Sequence, residues 1–378
     1  MISLPELLRK LKELGGSDLH LTTGSPPQVR IDGRLRPLDL PSMNAAETKR
    51  LAYSVLTDAQ KHRLEENLEL DFSFGVKDVS RFRGNIFYQR GAIAAVFRLI
   101  PFEIKSFEAL GLPSILATLC EKPRGLILVT GPTGSGKSTT LATMIDKINR
   151  ERHDHIVTLE DPIEFLHPHR NCIVNQREIQ SDTHSFTNAL RVLLRQDPDV
   201  VLIGEMRDLE TIESALRVAE TGHLTLATLH TNTAVSTINR IIDVFPAHQQ
   251  QQIRTQLSMV LEGVCCQTLL PKLGGVGRTV ALEVMIPNSA IRNLIREDKV
   301  HQIYGSMQAG QEKHGMQTFN QALATLYLNK QISLETAMSK SPNPVELEDL
   351  IKRGVGVVAS AGTGQMARPR PQPPTGRS

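Results

Sequence analysis

Tryptophan is absent from this 378-residue chain, and aromatic residues make up only 4% of it. Proteins that track single-stranded nucleic acid stack its bases on aromatic side chains in a basic groove, so the composition argues against a nucleic-acid translocase. Net charge is only +3, from 43 Lys and Arg against 40 Asp and Glu. The signs are interspersed, so there is no global pull toward nucleic acid or an anionic membrane. Cysteine is scarce. Cys120, Cys172, Cys265 and Cys266 form no Cys-x-x-Cys pair, which excludes a zinc module or disulfide framework of the usual spacing and points to reduced thiols in a cytosolic protein. No apolar run approaches the ~18 residues of a membrane span. Residues 1–14 mix Glu, Arg and Lys among leucines at helical spacing, which reads as an amphipathic helix packed on a domain and not as a signal peptide. Direct membrane insertion is not expected. Membrane association would go through a partner.

What is present is organised around one stretch. Leu126 to Val129 reads as a buried strand and runs into Gly131-Pro132-Thr133-Gly134-Ser135-Gly136-Lys137-Ser138-Thr139. Apolar residues then recur at Leu141, Met144, Ile145 and Ile148, which is helical spacing. Strand, glycine-rich loop and helix in that order form the phosphate-binding P-loop. Glycines let backbone N–H groups turn toward phosphate oxygens, and the helix dipole adds to them. Lys137 is expected to reach the β- and γ-phosphates of ATP, with the Ser138 hydroxyl on Mg²⁺. A mere glycine turn would need neither Lys nor Ser after its last Gly.

Length allows two domains. Residues 1–100 read as a small α+β domain. Val29 to Leu35 carries a hairpin signal at Asp32-Gly33, and alternation at Leu70–Val76 and Ile93–Leu99 predicts half-buried strands. Arg81 and Arg83 fall on one strand face, which is either solvated or aimed at a phosphate. Residues 101–115 form a Pro-punctuated linker. Over 116–345 strands alternate with helices, the pattern of a parallel sheet covered on both sides. Helices are predicted at Ala234 to Phe245 and from His248 to about Leu270. The segment 346–378 reads as a tail, Pro-rich and disordered from about Gly354.

Three strands end in polar residues at the edge where α/β sheets bind ligands: Glu160, Asp161 and Glu164 after one, Glu205 after the next, and His230 after the third. Hydrolysis needs a metal clamp on the phosphates and a group to orient water. Glu205 stands in the setting of a Walker B acid, but Gly204 replaces the Asp that often coordinates Mg²⁺. Glu160, Asp161 and Glu164 are the obvious alternative donors, Glu164 being the choice for Mg²⁺. His230, beside Thr231-Asn232, is placed to sense a γ-phosphate. His223 lies seven residues earlier, so the two cannot share a role within one continuous strand. Arg240 interrupts an apolar helix face and calls for either an internal carboxylate or a neighbouring subunit's phosphate.

Five motifs together resemble the retraction ATPases of type IV pili, within the secretion-ATPase superfamily. They are Gly131 to Thr139 as Walker A, Thr158-Leu-Glu-Asp-Pro-Ile-Glu164 as an acidic box, and Gly204-Glu-Met-Arg-Asp208 as an atypical Walker B. Thr221 to Asn232 resembles the family's His box. Ala290-Ile291-Arg292-Asn293-Leu294-Ile295 resembles a coupling motif associated with retraction members. Read from the residues alone, it is a helix capped by Ser289 with Ile291, Leu294 and Ile295 on one face. The resemblance covers residues 1 to about 345. It implies a PAS-like N-terminal domain, a RecA-like ATPase domain, a homohexameric ring and an inner-membrane pilus platform protein as partner. It further implies ATP held at domain and subunit junctions, with Arg81, Arg83, Arg90 or Arg98 reaching across to a phosphate, and Glu205, Glu164, His230 and Arg240 in catalysis. The alternatives within the superfamily are an accessory retraction ATPase and an assembly or secretion ATPase. Many assembly members carry an extra N-terminal domain or a tetracysteine module, neither of which is visible here.

Overall fold

The computed structural model describes residues 2–31, 33–100, 103–275, 277–310 and 314–354. Asp32 of the hairpin turn and the Pro-rich tail beyond 354 lie outside them. The mixed α/β architecture holds, in two sheets with separate cores.

The first sheet is antiparallel. Its strands are β1 (Asp18–Leu21), β2 (Gln28–Ile31), β3 (Arg34–Pro37), β4 (Glu69–Val76), β5 (Ser80–Gln89) and β6 (Ala92–Ile100), in the order β3-β2-β1-β6-β5-β4. The predicted hairpin is there, with Ile31 opposite Arg34. Alternation along β5 buries Phe82 and Ile86 while turning Arg81 and Arg83 outward. The N-terminal segment forms the helix Leu4–Glu13, with Leu4, Leu7, Leu8 and Leu11 all buried. Spacing of three and four puts them on one stripe, which packs into the same core as Phe72, Phe82 and Phe97.

The second sheet holds β7 (Gly125–Thr130), β8 (His155–Glu160), β9 (Ile173–Glu178), β10 (Val200–Ile203), β11 (Leu224–Leu229), β12 (Leu261–Pro271) and β13 (Arg278–Met285). The order is β13-β12-β7-β11-β10-β8-β9, parallel except for β13. Strands β7, β10 and β11 are buried along their whole length, which is why each reads as a continuous apolar run. In register, Leu229 lies beside Thr130, and Ile203 beside both Ala227 and Leu159. The carboxyl ends of β7, β8, β10 and β11 therefore share one edge, and β7 opens there into the P-loop.

Two sequence expectations need correction. The helix predicted from His248 to about Leu270 ends at Val260, and Leu261–Pro271 is strand β12. Ile253, Leu257, Leu261 and Val264 keep a helical spacing across that boundary, which mimics one long helix. Gly263 breaks it. A Cβ there would stand 2.7 Å from Leu119, and a bulge between Leu261 and Gly263 lets the chain enter the sheet between β7 and β13. Edge strand β9 was not anticipated, because only Val174 and Glu178 along it are buried and no apolar run marks it. Beyond the sheet, the helices Phe319–Leu328, Leu334–Lys340 and Pro344–Arg353 pack on β12 and β13. Leu347 is fully buried, so the helical layer continues past residue 346 to Arg353.

Candidate functional site

The P-loop takes a form only glycine allows at its two ends. Gly131 has φ +142°, and a Cβ there would lie 2.3 Å from the Gln267 carbonyl on β12. Gly136, at φ +92°, caps the helix Lys137–Glu151. Pro132, Thr133 and Gly134 are exposed at the tip, and Ser138 and Thr139 open the helix. Lys137 Nζ donates to the Gly131 carbonyl at 2.8 Å and the Pro132 carbonyl at 3.2 Å. Burial holds the Lys137 pKa below its ordinary value, against the opposing pull of Glu205.

Beneath the loop lies a residue the sequence reading missed. Gln267 is buried, accepts from Thr140 Oγ1 at 2.9 Å and donates to the Ser135 carbonyl at 2.8 Å. It clamps the loop's floor to the first turn of its helix. A Gln inside the apolar run of β12 was the available signal. Gln267→Leu leaves both loop groups unpaired, an effect of about 1–3 kcal/mol. The expected result is a lower melting temperature and a weaker affinity for ADP, read by thermal denaturation with and without nucleotide.

Glu205 is the centre of the charged cluster. Its Oε1 lies 2.9 Å from His230 Nε2 and its Oε2 2.8 Å from Arg207 Nη2. Burial pushes the Glu205 carboxyl up, but the hydrogen bonds and charges of Arg207 and His230 outweigh it and hold the pKa below the ordinary carboxylate value. Gly204 also has a reason here. Its N–H donates to the Leu159 carbonyl at 2.7 Å, and a Cβ would meet that same carbonyl at 3.1 Å. Strand β8 crowds the position where an Asp side chain would start. Thr228 Oγ1 fixes the Gly204 carbonyl from the β11 side. Arg240 reaches the cluster indirectly, donating to the Arg207 carbonyl at 3.4 Å.

The acidic box separates into different roles. Glu160 is buried, accepting from Thr158 Oγ1 at 2.7 Å, Gln176 Nε2 at 3.2 Å and the Glu164 N–H at 3.4 Å. Burial pushes its pKa up. Its carboxylate is engaged within the loop by these three donors. Asp161 and Glu164 are exposed, and Asp161 is near enough to Arg207 to raise that pKa after the larger contribution of Glu205. Among the described residues no cluster of three or more His, Cys, Asp or Glu could hold an ion by itself. The Ser138 hydroxyl and the exposed carboxylates are hard oxygen donors that suit Mg²⁺, and such ions commonly arrive with one or two carboxylates and the substrate phosphates.

His223 lies apart from His230, as their spacing implies. It precedes β11 while His230 follows it, so the strand's whole length separates them. His223 Nδ1 lies 3.0 Å from the Val218 carbonyl and 3.1 Å from Thr221 Oγ1, a helix-end contact at the edge opposite the P-loop. The N-terminal arginines have partners within their own chain. Arg81 bonds Ser73 at 2.6 Å and reaches Glu178 at 3.5 Å, Arg83 lies 3.9 Å from Asp71, and Arg98 bonds buried Asp18 at 2.7 Å. Arg90 is exposed in the β5–β6 turn at φ +48°.

The coupling motif also differs from expectation. Its helix spans Ser289–Arg296 and is capped by Asn288, not Ser289, with Asn288 Oδ1 accepting from the Ile291 N–H at 2.9 Å. Ile291 and Ile295 are fully buried, while Leu294 is half-buried and Ala290 and Asn293 are exposed. Arg292 donates to the Ser258 carbonyl at 2.7 Å and to Glu262 at 2.8 Å. An exposed apolar face is therefore reduced to Leu294.

Comparison with known proteins places these features. The family described as type II/IV secretion system protein matches residues 3–334. The type IV pilus retraction ATPase PilT of Pseudomonas aeruginosa is 50% identical over 343 residues, 91% of this chain and 99% of that protein. The type IV pilus ATPase PilU of the same organism is 42% identical over 349 residues, 92% and 91% of the two chains. A crystal structure of the pilus retraction motor PilT with bound ADP is 55% identical, with a TM-score of 0.87, covering 92% of this chain and 100% of that one.

Proposed function

The chain belongs to the type II/IV secretion system protein family, and from that premise we propose that it is an ATPase motor driving retraction of type IV pili. The observation that carries the reading is the Glu205 carboxylate held by His230 and Arg207 at the sheet edge where the P-loop opens. Lys137 leaves its loop carbonyls to meet the β- and γ-phosphates of ATP. Glu205, whose pKa its two partners hold low, accepts a hydrogen bond from the attacking water and aligns it with the γ-phosphorus. His230 holds one oxygen of that carboxylate and lies next to where the γ-phosphate would sit. Ser138 and Glu164 would hold Mg²⁺ together with the substrate phosphates, and the ion when bound would supply neutralisation of phosphate charge. ATP and water become ADP and phosphate.

In this reading six copies form a ring, and N-terminal arginines complete a neighbour's site. Motion of one domain against the other works on a platform protein in the inner membrane. No described helix is long and apolar enough to cross a membrane, which is compatible with a motor that reaches the membrane through that partner. Two measurements test the proposal. Purified protein should release phosphate from ATP, and deleting the gene should leave cells with excess, immobile surface pili. Bald cells would instead assign the motor to assembly, and unchanged pili would remove it from both roles.

A further inference from the structure

We propose that Glu283, on β13, is a positioning residue for the Glu205 site, acting through the helix Ala234–Asp243; the inference rests on the ATPase reading above. Glu283 is buried, and Oε1 accepts from the Ala234 N–H at 2.7 Å. Ala234 is the first residue of that helix, where unpaired N–H groups favour an anion. No cation pairs with the Glu283 carboxylate among the described residues. One buried acid thus ties strand β13 to the first turn of that helix.

The helix held at Ala234 is linked to both of Glu205's partners, though it carries neither. His230 lies four residues before it, and the intervening loop is clipped to the helix by Thr231 Oγ1 and Thr237 Oγ1, 2.7 Å apart. Arg240, on the same helix, bonds the carbonyl of Arg207. A shift of the helix therefore moves His230 through the loop and Arg207 through Arg240. Those two side chains set the orientation of the Glu205 carboxylate. Glu283 makes no hydrogen bond to the P-loop among the described residues, yet it fixes the element on which both contacts depend.

The test is Glu283→Gln in the full chain. Gln keeps the shape and one acceptor oxygen but replaces the carboxylate with a neutral amide, so the charge-assisted hold on the helix N-terminus weakens. The expected result is a fall in kcat for ATP of about 10- to 100-fold, the scale of an ångström-level misplacement, with KM within about twofold. In a His230→Ala background the same change should cost far less than it does in the wild type, because much of its route is already cut. Thr237→Val, which removes the loop clip without touching Glu283, should lower kcat in the same sense. It serves also if Glu283→Gln does not fold. Equal fractional losses in both backgrounds, a rise in KM in place of a fall in kcat, or an unaltered kcat in Thr237→Val would overturn the proposal. Absence of turnover in the wild type would instead overturn the ATPase reading on which it stands.

Discussion

Glu205→Gln is expected to lower ATP turnover by about two orders of magnitude or more, the scale of a lost general base, while ADP affinity stays within about twofold. Binding and chemistry separate because the loop and Lys137 do the first and Glu205 the second. The carboxylate has two acceptor oxygens, and the structure occupies both: His230 on one, Arg207 on the other. Gln can accept at only one position, so the substitution also loosens one of those contacts. The depressed pKa gives the pH dependence a sign. Glu205 remains ionised across the neutral range, so acidification should begin to remove the base only below the ordinary carboxylate range. Any stability from its pairing is present above the unfolded-state pKa and lost as pH falls through the lower folded-state value. Lys137→Ala supplies the contrast, since it should abolish turnover by removing the cation that meets the phosphates. Phosphate release and a nucleotide titration measure both variants. Turnover near wild type in Glu205→Gln would shift the role to Asp161 or Glu164, the members of the acidic box that are exposed. Glu160 could not take it, being buried and already bonded to Thr158 and Gln176.

The parts of this site that were legible in the sequence are those built from consecutive residues. The P-loop, the Asp208 cap and the acids at strand ends each sit within a few residues of an apolar run, so the pattern and the chemistry arrive together. Asp208 Oδ1 accepts from the Thr211 N–H, three residues on, as an N-cap acid does. Contacts between distant segments were not legible. Gln267 meets Ser135 across 132 residues and Glu283 meets Ala234 across 49. Each is a buried polar residue in a mostly apolar strand, and nothing local says what it faces. The same limit explains β12. Its helix-like spacing is real, and only the close approach of Leu119 to Gly263 shows why the chain straightens there. His223 and His230 were a matter of strand length: with the strand ending at Leu229, one histidine stands at each edge.

Ile291→Ala should unfold what Leu294→Ala leaves standing. Ile291 and Ile295 are fully buried in the main core of the ATPase sheet, packed with residues such as Leu257 and Met285. Truncating such a side chain costs about 2–5 kcal/mol, equivalent to a drop of roughly 4–20 °C in melting temperature for a domain of this size. ATPase activity should fall in parallel, because the same core supports β7 and β10. Arg292 adds to the structural role. It caps the carbonyls of Ser258 and Met259 at the end of the helix Ala247–Val260 and pairs with Glu262. Leu294 differs, being half-buried at the margin of that core, with exposed Asn293 beside it. Leu294→Ala should therefore lose little stability and keep most ATP hydrolysis. If this helix couples the ring to its partner, the same variant should abolish pilus retraction, seen as lost twitching on a surface. The measurements are melting temperature, phosphate release and surface motility of Ile291→Ala and Leu294→Ala side by side. A large fall in melting temperature for Leu294→Ala, with ATPase lost alongside, would make the whole helix a core element and remove the coupling role. Normal motility with normal ATPase would remove that role as well, and leave Ile291 and Ile295 as the reason this segment keeps its apolar pattern.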